Sequence, residues 1–219
     1  RADAYLELAE GKGDGAFKRF VRRAAASGAE KTLVEAGRLA LLGGRWEESW
    51  SAYLQALNAG GEGIVQPVGL QLLQLALHRR ETEVAWRTAK LLVERSPRRT
   101  GNRNNYAYLS LLLNREVTAA TRVAEEAVQV GPRNTAFLST LALARLRGGE
   151  LEEALALMVR RGDGGLKPGE RATKAAILLA LNREDDAANS AKGLRPEMML
   201  PEEWELLEGV TGKELKNPE

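Results

Sequence analysis

Cysteine is absent from the 219 residues, which excludes disulfides and thiolate metal sites while assigning no compartment. Histidine occurs once, as His78. It has no Cys, second His or acid pair beside it, so neither a metal site nor a general base is supported. Aromatics amount to 5%, and the interior must be filled by Ala and Leu, small and straight side chains that suit helix-on-helix packing. No uninterrupted apolar run reaches the roughly eighteen residues that a membrane-spanning helix needs. Charge of one sign is not in excess either: 32 Lys and Arg face 30 Asp and Glu, for a net charge of +2. Wholesale nucleic-acid binding would show a larger imbalance. The chain opens at Arg1 without Met or a signal-peptide pattern, which reads as a fragment and leaves open what precedes it.

What is present is a folded composition, 44% hydrophobic and 28% charged, arranged with a period. Short breaks at Gly43–Glu48, Arg79–Glu83, Asn114–Val117, Gly148–Glu153 and Asn182–Asp186 are each followed by a small residue, and an earlier break, Gly11–Gly15, leads to Ala16. These small residues, Ala16, Ser49, Ala85, Ala120, Ala154 and Ala187, lie 33, 36, 35, 34 and 33 residues apart. An apolar helix precedes each of the five later breaks and a second helix follows it. Pro97 and Pro132 fall where the second helix should stop. Neither helix of a pair should exceed about fourteen residues, and helices that short persist only by stacking on one another. The small residue permits close approach of the two helices within a pair.

Spacing and residue types resemble the tetratricopeptide repeat, a 34-residue helix–turn–helix unit. Ala16-x3-Phe20 matches its middle piece, and Ser49-x3-Tyr53 and Ala154-x3-Met158 are conservative variants. Gly37 stands twelve residues before Ser49, in the family's Gly place, and Leu141-Ala142 takes the Leu-Gly place of the fifth unit. Asn104–Leu109 resembles an opening of such units. Trp is missing from every first helix, and Ala89, Ala124 and Ala191 replace the family's aromatic.

The resemblance implies an all-α fold: a right-handed α-solenoid of about six helix–turn–helix units. They fall near 1–28, 30–62, 66–98, 101–133, 135–166 and 168–194, with a C-terminal capping helix at 201–209. Pro201-Glu202-Glu203-Trp204 is a good helix start, with proline first and acids in the first turn. It should cover the last repeat as a terminal cap.

The remaining features have ordinary readings. Gly11–Gly15 lacks the Lys-Ser/Thr ending of a phosphate loop. Arg161-Gly162-Asp163 spells an integrin-type tripeptide, but three residues recur by chance. Acid pairs at Glu47-Glu48, Glu152-Glu153 and Asp185-Asp186 sit where a second helix starts and complement its dipole. Trp50 and Trp86 share one repeat position, as residues that pack between units would. Two basic clusters stand out: Lys18, Arg19, Arg22 and Arg23 on one short helix, and Arg95, Arg98, Arg99 and Arg103 around Pro97. They read as solvated surface first, and as a docking site for an anionic membrane or acidic partner second.

No nucleophile–base or metal-ligand set emerges, so the expectation is a non-catalytic scaffold without cofactor that binds a protein or peptide. In the family, first helices of successive pairs line the concave side where peptides lie. That implies Lys31, Val34, Arg38, Gln71, Gln74, Asn105, Ser139 and Thr140 as partner-binding residues. The chaperone-binding subgroup clamps a terminal carboxylate with Lys, Arg and Asn. Lys31, Arg38 and Asn105 are present here, but not in that order, and the specificity is not carried over. An adaptor docking to a polyanion through the basic clusters is the alternative function, and self-assembly through the first helix is a further possibility.

Overall fold

In a computed structural model of the chain, the described residues are 30–208 together with the isolated positions 19, 23 and 26. Apart from those three positions, the expected first unit at 1–28 lies outside the described residues, as do the Gly11–Gly15 turn, Lys18, Arg22 and the last residue of the expected cap. Among the described residues there are eleven α-helices and no strand. They are α1 (Glu30–Leu42), α2 (Trp46–Ala59), α3 (Glu62–His78), α4 (Thr82–Arg95), α5 (Thr100–Leu112), α6 (Val117–Val130), α7 (Thr135–Gly148), α8 (Leu151–Arg161), α9 (Pro168–Ala180), α10 (Glu184–Ala191) and α11 (Pro201–Glu205). A single 3-10 turn, Pro196–Met198, precedes α11.

The turns within pairs share one backbone solution. Gly44, Arg80, Asn114, Gly149 and Asn182 all have positive φ, between 53° and 75°. In each case the next residue donates its N–H to the carbonyl five residues earlier: Arg45 to Ala40, Glu81 to Ala76, Arg115 to Ser110, Glu150 to Arg145 and Arg183 to Leu178. This left-handed closure satisfies carbonyls that the helix end would otherwise leave without a partner. Gly and Asn accept the conformation readily, and Arg80 is the residue least suited to it. The five small residues that follow, Ser49, Ala85, Ala120, Ala154 and Ala187, are all buried.

The described residues form two compact units, one of 30–75 with 94–96 and the other of 76–93 with 97–208. In the first, α1 packs on α2. The Ser49 hydroxyl donates to the Gly37 carbonyl at 2.9 Å, and the buried Tyr53 ring lies against Gly37. The helix α3 differs from expectation. It runs 17 residues with Pro67 inside it, beginning four residues before the anticipated start of its unit. Pro67 falls near the helix N-terminus and has no N–H to give the Gly63 carbonyl. It therefore costs a single ladder bond rather than stopping the helix.

In the second unit, α5 packs on α6, α7 on α8 and α9 on α10, while α6 also touches α7 and α8 touches α9. The first helices α5, α7 and α9 touch one another in order as well, so they form one continuous face. Arginines bond helix ends both between pairs and within one. Arg147 donates to the carbonyls of Leu111 and Leu112 at the end of α5, and Arg171 to those of Ser190 and Lys192 at the end of α10. Arg145 pairs with Glu125, Glu150 and Glu153. At the C-terminal end, Leu194, Met199 and Leu207 join Ala172, Ala175 and Ala191 in one apolar cluster, with Trp204 against it.

Candidate functional site

Helix α1 places Lys31, Val34, Arg38 and Leu41 three or four residues apart, on one stripe of its surface. Opposite, α3 presents Ile64, Pro67, Val68 and Gln71. Between them opens a pocket of about 570 Å³ in the first unit, with Tyr53 of α2 and Leu42 also in its wall. Its lining is mostly aliphatic, and Lys31 and Arg38 are exposed at its rim. Arg38 is loosely held: it lies 3.9 Å from Glu35, with its side chain 65% exposed. Burial pushes the Tyr53 hydroxyl above the usual phenol range, an effect that Arg38 opposes and Glu35 reinforces. The arrangement is an apolar depression with two exposed cations, the Glu35 carboxylate and one amide at its edge, and it can seat an apolar side chain flanked by acceptors.

Four of the residues nominated from the sequence, Lys31, Val34, Arg38 and Gln71, thus line one pocket. Gln74 is exposed nearly one helical turn beyond Gln71. In the second unit Asn105 is partly exposed, while its neighbour Asn104 is buried with an amide oxygen that has no hydrogen-bond partner. Ser139 and Thr140 are buried. The Ser139 hydroxyl lies 2.7 Å from the Glu170 carboxylate and 2.9 Å from the Thr135 carbonyl, and Thr140 donates to the Ala136 carbonyl. Both hydroxyls thus have partners within the helices.

The basic residues divide in the same way. Arg19, Arg23, Arg98 and Arg99 are exposed. Arg95 donates to the Asn58 carbonyl, and Arg103 pairs with Glu126. Trp86 is engaged in packing: its indole N–H donates to Ser110 at 2.9 Å, its ring lies 5.9 Å from that of Tyr106, and Lys90 and Arg115 lie over it. Arg161 of the integrin-type tripeptide has its side chain only 5% exposed. It pairs with Glu170 and donates to the carbonyls of Gly162, Gly164 and Gly165, which removes it from any surface motif.

A second depression, about 580 Å³, lies between α8, α9 and α10. Its charged groups are already engaged, Lys174 with Asp163, Arg183 with Asp186 and Arg171 with the carbonyls of Ser190 and Lys192. Among the described residues no group of three or more His, Cys, Asp or Glu has metal-holding placement. No helix there is long and apolar enough to cross a membrane.

No family model matches the chain, and no curated protein matches it in sequence. Solved structures do match. A tetratricopeptide repeat protein from Parabacteroides merdae aligns over 86% of this chain and 75% of its own, with TM-score 0.61 and 14% identity. A thermophilic tetratricopeptide protein of Thermus thermophilus aligns over 83% of this chain and 99% of its own, with TM-score 0.54 and 21% identity. YrrB, a tetratricopeptide protein with an unusual peptide-binding site, aligns over 84% and 95%, with TM-score 0.53 and 12% identity. The fold of this chain is that of the tetratricopeptide-repeat proteins, built of repeated helix pairs.

Proposed function

We propose that the chain is a non-catalytic interaction scaffold, and that the α1–α3 pocket takes an apolar side chain from a partner peptide carrying acidic neighbours. The single observation behind this reading is the convergence of an aliphatic wall with exposed Lys31 and Arg38 and the Gln71 amide on one pocket. Apolar burial provides affinity, while rim cations favour an acidic segment and steer its approach. Gln71 can donate to and accept from a peptide backbone. YrrB's peptide-binding site lends the same reading support by analogy of fold.

The test is a titration of the full chain with short peptides bearing one Leu or Phe between acidic residues, followed by anisotropy. Arg38→Glu together with Lys31→Glu should weaken binding at least about tenfold, and Val34→Asp should abolish it. Equal affinity for the variants and the parent chain overturns the assignment.

The alternative, docking to an anionic surface, draws on exposed Arg98 and Arg99 and on Arg19 and Arg23. Flotation with phosphatidylserine vesicles, comparing the parent with Arg98→Glu plus Arg99→Glu, decides it. Near such a surface each cation contributes about 1 kcal/mol.

A further inference from the structure

The C-terminal segment does more than close the last pair. Beyond its apolar contacts with α9 and α10, it reaches across the face made by the first helices of the second unit. The Arg80 guanidinium, in the turn before α4, donates to the Met199 carbonyl at 2.8 Å. Thr82, the first residue of α4, donates to the Glu202 carboxylate. Tyr108 of α5 donates its hydroxyl to the Glu203 carboxylate, whose other oxygen accepts the Leu200 N–H at 2.8 Å. On the far side, Gly169 at the start of α9 is the floor beneath Glu203: a Cβ there would overlap the carboxylate. Glu203 is 9% exposed, and Met199, Leu200 and Leu207 are buried with it. Residues from three of the helix pairs, α3–α4, α5–α6 and α9–α10, therefore converge on the nine residues 199–207.

These contacts are of the kind a receptor makes with a peptide. One cation grips a main-chain carbonyl, one hydroxyl each grips two adjacent carboxylates, and a missing side chain makes the cradle. A plain hydrophobic cap would need none of them. A carboxylate taken out of water costs free energy that an apolar residue of its size would not, so Glu203 is a poor choice for a permanent plug and a good one for a recognised feature.

We propose that the face formed by Arg80, Thr82, Tyr108 and Gly169 is a recognition surface for a Leu-Pro-Glu-Glu helical start, held in cis by residues 199–207. A partner segment of the same chemistry binds by displacing the chain's own. A tethered segment competes at an effective concentration of order millimolar, so free peptide meets a masked site in the intact chain. The proposal concerns the second unit and stands apart from the α1–α3 pocket.

The experiment uses the full chain and a fluorescein-labelled peptide of residues 196–208. A chain carrying Leu200→Ala and Glu203→Ala, with its segment loosened and its receptor face intact, should bind the peptide at least about tenfold more tightly than the parent. The same chain with Gly169→Ala added should lose that binding, and a peptide with Glu203→Ala should fail to compete. Equal binding by the parent and the loosened chain, or no binding by a loosened chain of unchanged helical circular dichroism, overturns the proposal. If the loosened chain loses helix content, hydrogen exchange on the 15N-labelled parent decides. Excess unlabelled peptide should speed exchange at 199–207 and leave α5 unchanged, and unaltered exchange at millimolar peptide overturns the proposal.

Discussion

The ring of Tyr53 stands where a side chain on residue 37 would be: a Cβ built on Gly37 falls 2.8 Å from two of its ring carbons. The Gly37 carbonyl meanwhile accepts the Ser49 hydroxyl, so α1 and α2 are keyed together by an absent side chain and a hydroxyl one turn before the ring. Gly37→Ala should force the buried ring aside at a cost of about 1–3 kcal/mol. Urea denaturation of the variant checks this, and an unchanged midpoint contradicts it.

The small residues at the start of each second helix make the same demand elsewhere. Ala154 is fully buried and Ala120 nearly so. Ala154→Leu and Ala120→Arg should each overpack the pair at a cost of about 1–3 kcal/mol or more. Thermal melts of the two variants test the repeat register directly.

Arg161 and Glu170 form an ion pair with side-chain exposures of 5% and 12%. Glu170 also accepts the Lys167 N–H and faces Ser139. Arg161→Ala would leave that carboxylate buried without its cation, at a cost of about 3–5 kcal/mol. It would also free three glycine carbonyls of the 162–165 loop, so limited proteolysis should find new cleavage there.

Burial holds the Glu203 carboxyl above the usual carboxylate range, against the lowering effect of the hydrogen bonds from Tyr108 and Leu200. The nearby Glu202 and Glu170 push it the same way as burial. Folding therefore favours its protonated form. Its contribution to stability is full below the ordinary carboxyl range and is lost as pH rises through the folded value. Glu203→Gln should accordingly gain on the parent between about pH 4 and about pH 7. Denaturant midpoints of both proteins across that range give the sign, and a difference independent of pH contradicts it.

Much of this fold is readable from spacing, because each turn needs a residue tolerant of left-handed backbone and each pair needs a small residue five or six positions later. Gly44, Asn114, Gly149 and Asn182 advertise the first requirement, and Ser49 and four alanines the second. Lys31, Val34 and Arg38 can be placed on one stripe from helical periodicity alone. Ser139 and Thr140 escape such reasoning, since a hydroxyl in a helix can turn back to the carbonyl four residues earlier. The reach of Glu203 to Tyr108, 95 residues away in sequence, depends on how closely α5, α7 and α9 approach one another. No local pattern carries that. The one hint was Gly169 beside Pro168, a glycine in a helix's first turn where no turn conformation requires it.

Arg80 holds a backbone conformation that glycine or asparagine would adopt more easily, and its side chain grasps a carbonyl 119 residues further along. Swapping it for glycine would relax the bend locally while slackening the chain's far end, two changes of opposite sign from one codon. The hairpin corner and the tail therefore report on each other: clipping the tail should loosen the corner, and the corner's amide exchange becomes a gauge of whether the tail is seated.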